Sequence, residues 1–194
     1  MGGHSVRMKR LTLTGLPECL PPPDFSIRWF QPGDEATWVD VQTAAERFLR
    51  IDRALFAREF HGDGAGLGQR QAFLVSAAGR AVGTATAWYD DLAQRPAWGR
   101  VHWVALRPEV QGRGLAKPLL AAVLGRLRDL GHQHAYLHTS TQRVPAITLY
   151  LEFGFRPEPR NPDERQAWQA LAPALRPAAR AAMLASLTTT EGTA

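Results

Sequence analysis

The stretch QGRGLA, residues 111–116, lies between an apolar run, VHWVAL (101–106), and a leucine-rich segment. In that segment Leu115, Leu119, Leu120, Val123, Leu124, Leu127 and Leu130 keep one helical face up to Gly131. An apolar strand that enters a helix through a glycine turn places strong limits on the fold. It calls for a sheet with a helical crossover, and the first N–H groups of the helix and its dipole converge on one spot, as at an anion site. Gly112 and Gly114 let a phosphate approach the backbone with no Cβ in the way. The stretch is not a dinucleotide fingerprint, because Lys117 stands where a third glycine is needed, and it is not a Walker A loop. Read alone, it leaves a plain strand-to-helix turn open.

The rest of the chain is organised around this unit. FSIRWF (25–30) reads as a strand stopped by QPGD, and Asp34 opens a helix through about Arg50 with Trp38, Val41, Ala45, Phe48 and Leu49 at helical spacing. A second helix holds Leu55, Phe56 and Phe60, and HGDGAGLGQ (61–69), with four glycines, reads as a mobile loop. AFLVSA (72–77), a turn at Gly79 and Arg80, and AVGTATAWY (81–89) read as an antiparallel hairpin. Its exit leads to RVHWVAL (100–106), apolar enough to be a central strand. HAYLHTS (134–140) is a further strand, Pro145 opens a helix that Gly154 closes, and a short extended FRPE follows. An alanine-rich helical segment from Asp163 to about Leu187 is broken at Pro173 and Pro177.

The expected fold is α/β (α+β), a mixed central sheet with an antiparallel first half and flanking helices. Three units are expected: an arm over 1–23 ending in three prolines, a domain over 24–160, and a C-terminal helical extension over 161–194. LTLTGL in the arm is a candidate extra strand.

A length of 194 residues with 45% hydrophobic content suffices for one core. The net charge of +5 would suit an anionic partner, yet only Lys9 and Lys117 are lysines and no basic run is interleaved with aromatics, so nucleic-acid binding is not expected. Cys19, the sole cysteine, excludes an internal disulfide and suits a reduced cytoplasmic setting. No signal-peptide apolar stretch and no run near the ~18 apolar residues of a membrane span occurs, so the reading is a soluble, unanchored protein. His132, His134 and His138 stand at even-numbered offsets that could present three imidazoles on one strand face, but no Cys or carboxylate completes a site, and no metal is expected.

QGRGLA after an apolar strand resembles the Q/R-x-x-G-x-G/A signature of the GCN5-related N-acetyltransferase (GNAT) superfamily, and AITLYLEFGF resembles its A-x-x-L-Y-x-x-x-G-F segment. The likeness covers roughly residues 24–157. It implies the GNAT fold with splayed central strands. It also implies an acetyl-CoA cosubstrate, a primary amine acceptor attacking directly in a ternary complex, and no metal.

Residue by residue, the resemblance implies that the backbone N–H groups of Gly112, Arg113, Gly114, Leu115, Ala116 and Lys117 face the pyrophosphate, with Gln111 at the family's Gln or Arg position. Val104, Ala105 and Leu106 would pair with the pantetheine arm, and Thr139 and Ser140 lie where the next strand splays to admit the thioester. Tyr150 stands at the family's tyrosine, where a phenol of pKa ~10 can protonate a leaving thiolate of pKa ~8.5. The residues alone leave a core tyrosine beside Ile147 and Phe153 equally open.

His102 is the candidate base. It is read as sharing a strand face with Val104 and Leu106, and some relatives, such as the arylalkylamine acetyltransferases, carry histidine there. Histone-modifying relatives place a glutamate two residues earlier, where Arg100 stands, and a water chain is the other option for the base. Asp90 and Asp91 are candidates for attracting a cationic amine, with a solvated loop as the alternative.

After GF most relatives add a hairpin strand, whereas RPEPRNPDER leads into helix. The seventh strand is therefore expected to be absent or supplied by a partner chain, as in a homodimer. The acceptor stays open among small amines, antibiotics, peptide N-termini and lysine. The rival function is a non-catalytic acyl-CoA-binding or regulatory module.

Overall fold

The structure, a computed structural model, describes residues 3–60, 64–89 and 97–188. In chain order the elements are β1 (Ser5–Arg10), β2 (Phe25–Trp29), α1 (Glu35–Ala45), α2 (Arg53–Phe60), α3 (Gly64–Arg70), β3 (Gln71–Ser76), β4 (Ala81–Trp88) and β5 (Trp98–Leu106). There follow α4 (Ala116–Asp129), β6 (His134–Ser140), α5 (Val144–Glu152), β7 (Arg156–Pro157), α6 (Pro162–Leu171) and α7 (Pro177–Thr188). The strands form one mixed sheet in the order β2-β3-β4-β5-β6-β1-β7. Neighbours from β2 to β5 run antiparallel, β5 and β6 run parallel across the α4 crossover, and β1 lies antiparallel to both β6 and β7.

Each face of the sheet has its own core. On one, the leucine face of α4 meets Val6, Met8, Leu74, Val101 and Leu137, along with Ile147 and Leu151 of α5. On the other, α1, α2 and α3 supply Trp38, Val41, Phe56, Phe60 and Leu67 against Phe73, Trp88 and Ala105. Trp38 is the hub of this second core, with ring centroids 5.3 Å from Phe56, 5.6 Å from Phe60 and 5.2 Å from Trp103.

The central strands splay. β5 and β6 pair only at Trp98↔His134, Gly99↔Ala135 and Arg100↔Tyr136. A bulge in β5 bends it away beyond that point: Thr84 pairs with Ala105 and Thr86 with His102, so Trp103 and Val104 together oppose Ala85. Trp103 takes φ 50°, a left-handed conformation that a bulky residue adopts only under outside constraint.

Several expectations need correction. Residues 5–10, within the expected arm, form β1 in the interior of the sheet. Val6 and Met8 are fully buried, while Arg7 and Lys9 on the opposite face pair with Glu158 at 2.9 and 3.2 Å. LTLTGL is not a strand; it buries Leu13, whose N–H bonds to the Gln133 carbonyl at 3.1 Å. With β1 beside β6 and β7 beyond it, the chain fills that position itself, and the argument for a strand from a partner falls away.

Helix α1 stops at Ala45 rather than near Arg50, because the Glu46 carboxylate accepts from the N–H groups of Arg47 and Phe48 and turns the chain. Phe48 and Leu49 are consequently exposed. Residues 64–70 are helical where a loop was expected; Leu67 is buried and Arg70 donates to the Ala87 carbonyl at 3.0 Å. The C-terminal helices are no appendage, since Trp168, Leu171, Leu175, Ala179, Met183 and Leu187 join the α4 core.

Candidate active site

β5 passes through a short 3-10 turn, Pro108–Val110, into the glycine stretch and then α4. Gly112 and Gly114 have φ 75° and 77°, in the left-handed region that favours glycine, and a Cβ at either would meet no atom within 4 Å. No side chain caps α4 at Leu115, so none competes there for the first N–H groups of the helix. Gln111 Nε2 donates to the Leu106 carbonyl at 2.8 Å and ties the turn to the strand end. The Arg113 guanidinium lies 5.3 Å from the centre of the Phe25 ring. Lys117 differs from expectation: its backbone N–H is spent on the Gly114 carbonyl at 3.0 Å, and its ammonium pairs with Glu152 at 3.0 Å.

The divergence of β5 from β6 opens a cleft of about 200 Å³. Its walls include His102, Trp103 and Val104 of β5, Thr139 of β6, Arg143 and Tyr150, with Gln42 of α1 and Glu59 of α2 across from them. The β5 edge from Val101 to Leu106 that faces the gap has no strand beside it among the described residues. Val104 and Leu106 pack toward the α4 core and Ala105 toward the α1–α2 core. Ser140 ends β6 outside the cleft wall, its Oγ 3.4 Å from the Gln142 N–H.

His102 does not share a face with Val104 and Leu106. The extra residue at Trp103 reverses the alternation, so His102 lies on the α2 side, its ring 5.8 Å from those of Phe60 and Trp103. It still lines the cleft.

Tyr150 is buried on α5, edge-to-face on Phe155 at 6.0 Å, and its hydroxyl has no hydrogen bond to another described residue. Burial pushes its phenol up to about 12, against the pull of the nearby Arg143 guanidinium. The phenol is thus fully protonated at neutral pH. Because the folded pKa lies above the unfolded value of 10.0, the associated stability is fully present below pH 10 and is lost as pH rises through 12. Denaturant titrations should show wild-type stability falling over that window by roughly 3 kcal/mol more than in Tyr150→Phe. Parallel curves would contradict the burial argument.

Sequence reasoning missed Glu59. Its Oε2 accepts from Trp103 Nε1 at 3.0 Å and lies 3.3 Å from His102 Nε2. The hydrogen bond with His102 holds this carboxyl down at about 2 against the opposing effect of burial, helped by the Trp103 N–H and the charges of His102 and Arg100. A single glutamate on a short helix ordinarily reads as solvated, and no motif marked it. Arg143 was missed as well; it pairs with Glu46 at 2.6 Å.

The three imidazoles do not gather: His134 Nδ1 is 2.7 Å from the Leu11 carbonyl, and His132 Nε2 is 3.4 Å from Arg70. Asp90 and Asp91 lie outside the described residues. No described helix is long and apolar enough to cross a membrane.

The model of the acetyltransferase (GNAT) family matches residues 28–155, a span that contains both the glycine turn and Tyr150. The mycothiol acetyltransferase of Pseudarthrobacter chlorophenolicus is 36% identical over 149 residues, covering 72% of this chain and 45% of that one. The mycothiol acetyltransferase of Arthrobacter sp. is 34% identical over 149 residues, with the same coverage of 72% and 45%. The chain thus spans about half the length of these curated relatives. Among solved structures, a GCN5-related N-acetyltransferase from Sphaerobacter thermophilus superposes with a TM-score of 0.65 at 22% identity, over 81% of this chain and 50% of that one. A tandem GNAT protein from the clavulanic acid biosynthesis pathway gives 0.58 at 20% identity, over 79% and 50%. At those identities the superpositions speak for the fold, and the splayed sheet agrees with them. With the family match spanning the strands, the turn and the cleft just described, this chain belongs to the GNAT acetyltransferase family.

Proposed function

We propose that the chain moves the acetyl group of acetyl-CoA to a primary amine by direct attack within a ternary complex. One observation carries the reading: the strand that leads into an open glycine cradle at the start of α4 also walls a cleft, between strands that have parted, in which a protonated tyrosine stands. Gly112 and Gly114 leave clear the volume that a Cβ would fill, as a pyrophosphate requires, and the backbone from Gly112 to Ala116 would hold it. Val104 to Leu106 offer the bare strand edge for the pantetheine arm. Acetyl-CoA supplies an acetyl thioester.

The residues do the rest. His102, directly or through one water, takes a proton from the acceptor amine. Tyr150 gives its Oη proton to the sulfur as the carbon–sulfur bond breaks and the electron pair leaves with sulfur. The name shared by the curated relatives puts mycothiol-related amines first in any acceptor panel. Cys19, a free thiol, supports a reduced cytoplasmic setting.

Saturating acetyl-CoA is expected to raise the melting temperature. Occupancy at 100 times Kd adds about 2.7 kcal/mol, worth roughly 5–10 °C for a chain of this size. Differential scanning fluorimetry with millimolar acetyl-CoA reads it directly, and an unmoved transition would count against the reading.

A further inference from the structure

We infer that Glu59 is a positioning residue for His102, fixing the ring and its tautomer so that the ring can accept the acceptor's proton. This rests on the acetyl-transfer reading above and extends it from the strands to α2.

The argument starts at the bulge. Trp103 is held from two helices: its carbonyl accepts from Gln42 Nε2 at 2.8 Å, its ring meets Trp38 of α1, and its indole N–H donates to Glu59 of α2. That held bulge is what turns His102 toward α2, where Phe60 supports the ring and Glu59, one residue earlier, meets Nε2. A single oxygen, Oε2, therefore serves both the residue that shapes the strand and the residue that faces the cleft. With Nε2 turned to a carboxylate, the ring proton sits at Nε2 and the basic lone pair is at Nδ1.

The charges around the ring give Glu59 its importance. Two arginines, Arg100 of β5 and Arg143 just before α5, line the same cleft with Tyr150 and the imidazole of His138, and Arg58 lies 3.8 Å from Glu59 Oε1. Glu46 takes up Arg143 at 2.6 Å but does not line the cleft. Cations near an imidazole lower its affinity for a proton, and a carboxylate on the ring itself offsets them. Among the described residues Glu59 is the one carboxylate in the cleft wall. It remains ionised at any working pH and is too weak a base to take an ammonium proton itself. The step is a single proton transfer. An N–H bond of the acceptor's ammonium breaks, an N–H bond forms at Nδ1, and the electron pair stays on the amine. The Nε2 proton stays on the ring, facing Glu59.

The test titrates the imidazole of His102 by NMR in the full chain, with His102→Ala assigning the signal, alongside kcat/KM profiles. Glu59→Gln is expected to lower the His102 midpoint by about one pH unit, to move the acid limb of kcat/KM the same way, and to cost roughly tenfold in kcat/KM. The double variant with His102→Ala is expected to be no worse than His102→Ala alone. A midpoint and profile unchanged in Glu59→Gln, or losses that multiply in the double variant, would overturn the inference. Should Glu59→Gln fail to fold, the reciprocal titration decides: in His102→Gln the Glu59 carboxyl midpoint is expected to rise, and an unmoved one overturns the pairing. Failure of the parent reading looks different, because the wild type would then acetylate no amine while the two titrations still report on the pair.

Discussion

Tyr150→Phe is expected to cut kcat by about two orders of magnitude, toward the low end of the 10² to 10⁴ contributed by a positioned proton donor, while leaving acetyl-CoA affinity nearly unchanged. The substitution keeps the ring on Phe155 and deletes a hydroxyl that bonds to no described residue. A tyrosine serving only the core would give the opposite pattern, keeping its turnover per folded molecule when the hydroxyl is removed. A phenol held near 12 is a reluctant donor to an ordinary thiolate near 8.5. A thiolate forming inside the same buried cleft is desolvated too, so its proton affinity rises with that of the phenol. The loss should therefore shrink for an acyl donor whose thiol is more acidic, because a better leaving group needs less help. Equal losses with both donors would assign the hydroxyl to positioning alone, and full activity would remove it from the mechanism.

Gly114→Val is expected to abolish the acetyl-CoA-induced rise in melting temperature. The position has φ 77°, where a β-branched residue costs of order 1–2 kcal/mol, and its side chain would stand in the open volume above the turn. The readout is the difference between melting with and without ligand, which separates lost binding from the strain itself. Gly125, inside α4 with open space around it, provides the control: Gly125→Ala should gain roughly 0.5–1 kcal/mol from helix propensity and keep the full ligand shift. A normal ligand shift in folded Gly114→Val would place the anion elsewhere.

The parts of this fold that were legible in the sequence are those decided locally. The glycine turn, the apolar strand before it and the leucine face after it lie within a few dozen residues, and each carries its own periodicity or backbone requirement. The breaks match as well: Pro173 follows the end of α6 and Pro177 is the first residue of α7. β1 was not legible, because Val6 and Met8 alternate over only six residues and their partner strand lies some 130 residues further on. The same limit hid the geometry of the cleft. The bulge at Trp103 is imposed on a residue with no local preference for positive φ by groups on two helices, and that bulge decides which way His102 faces. A strict alternation read along VHWVAL put His102 on the wrong side and left Glu59 unremarked. Tyr150 was found through its motif, but its burial and its protonated state came from the packing of α5.

The central claim is acetyl transfer to an amine, and release of free thiol from acetyl-CoA tests it most directly. It is to be followed with a thiol-reactive dye with and without a panel of primary amines, with mass detection of the acetylated product. Cys19 is the chain's only thiol and sets a background of at most one per molecule. The account predicts thiol release that depends on an amine, matches acetylated product one for one, and falls about a hundredfold in Tyr150→Phe. Acetyl-CoA binding with no amine-dependent release at any pH, and wild type indistinguishable from Tyr150→Phe, would contradict it.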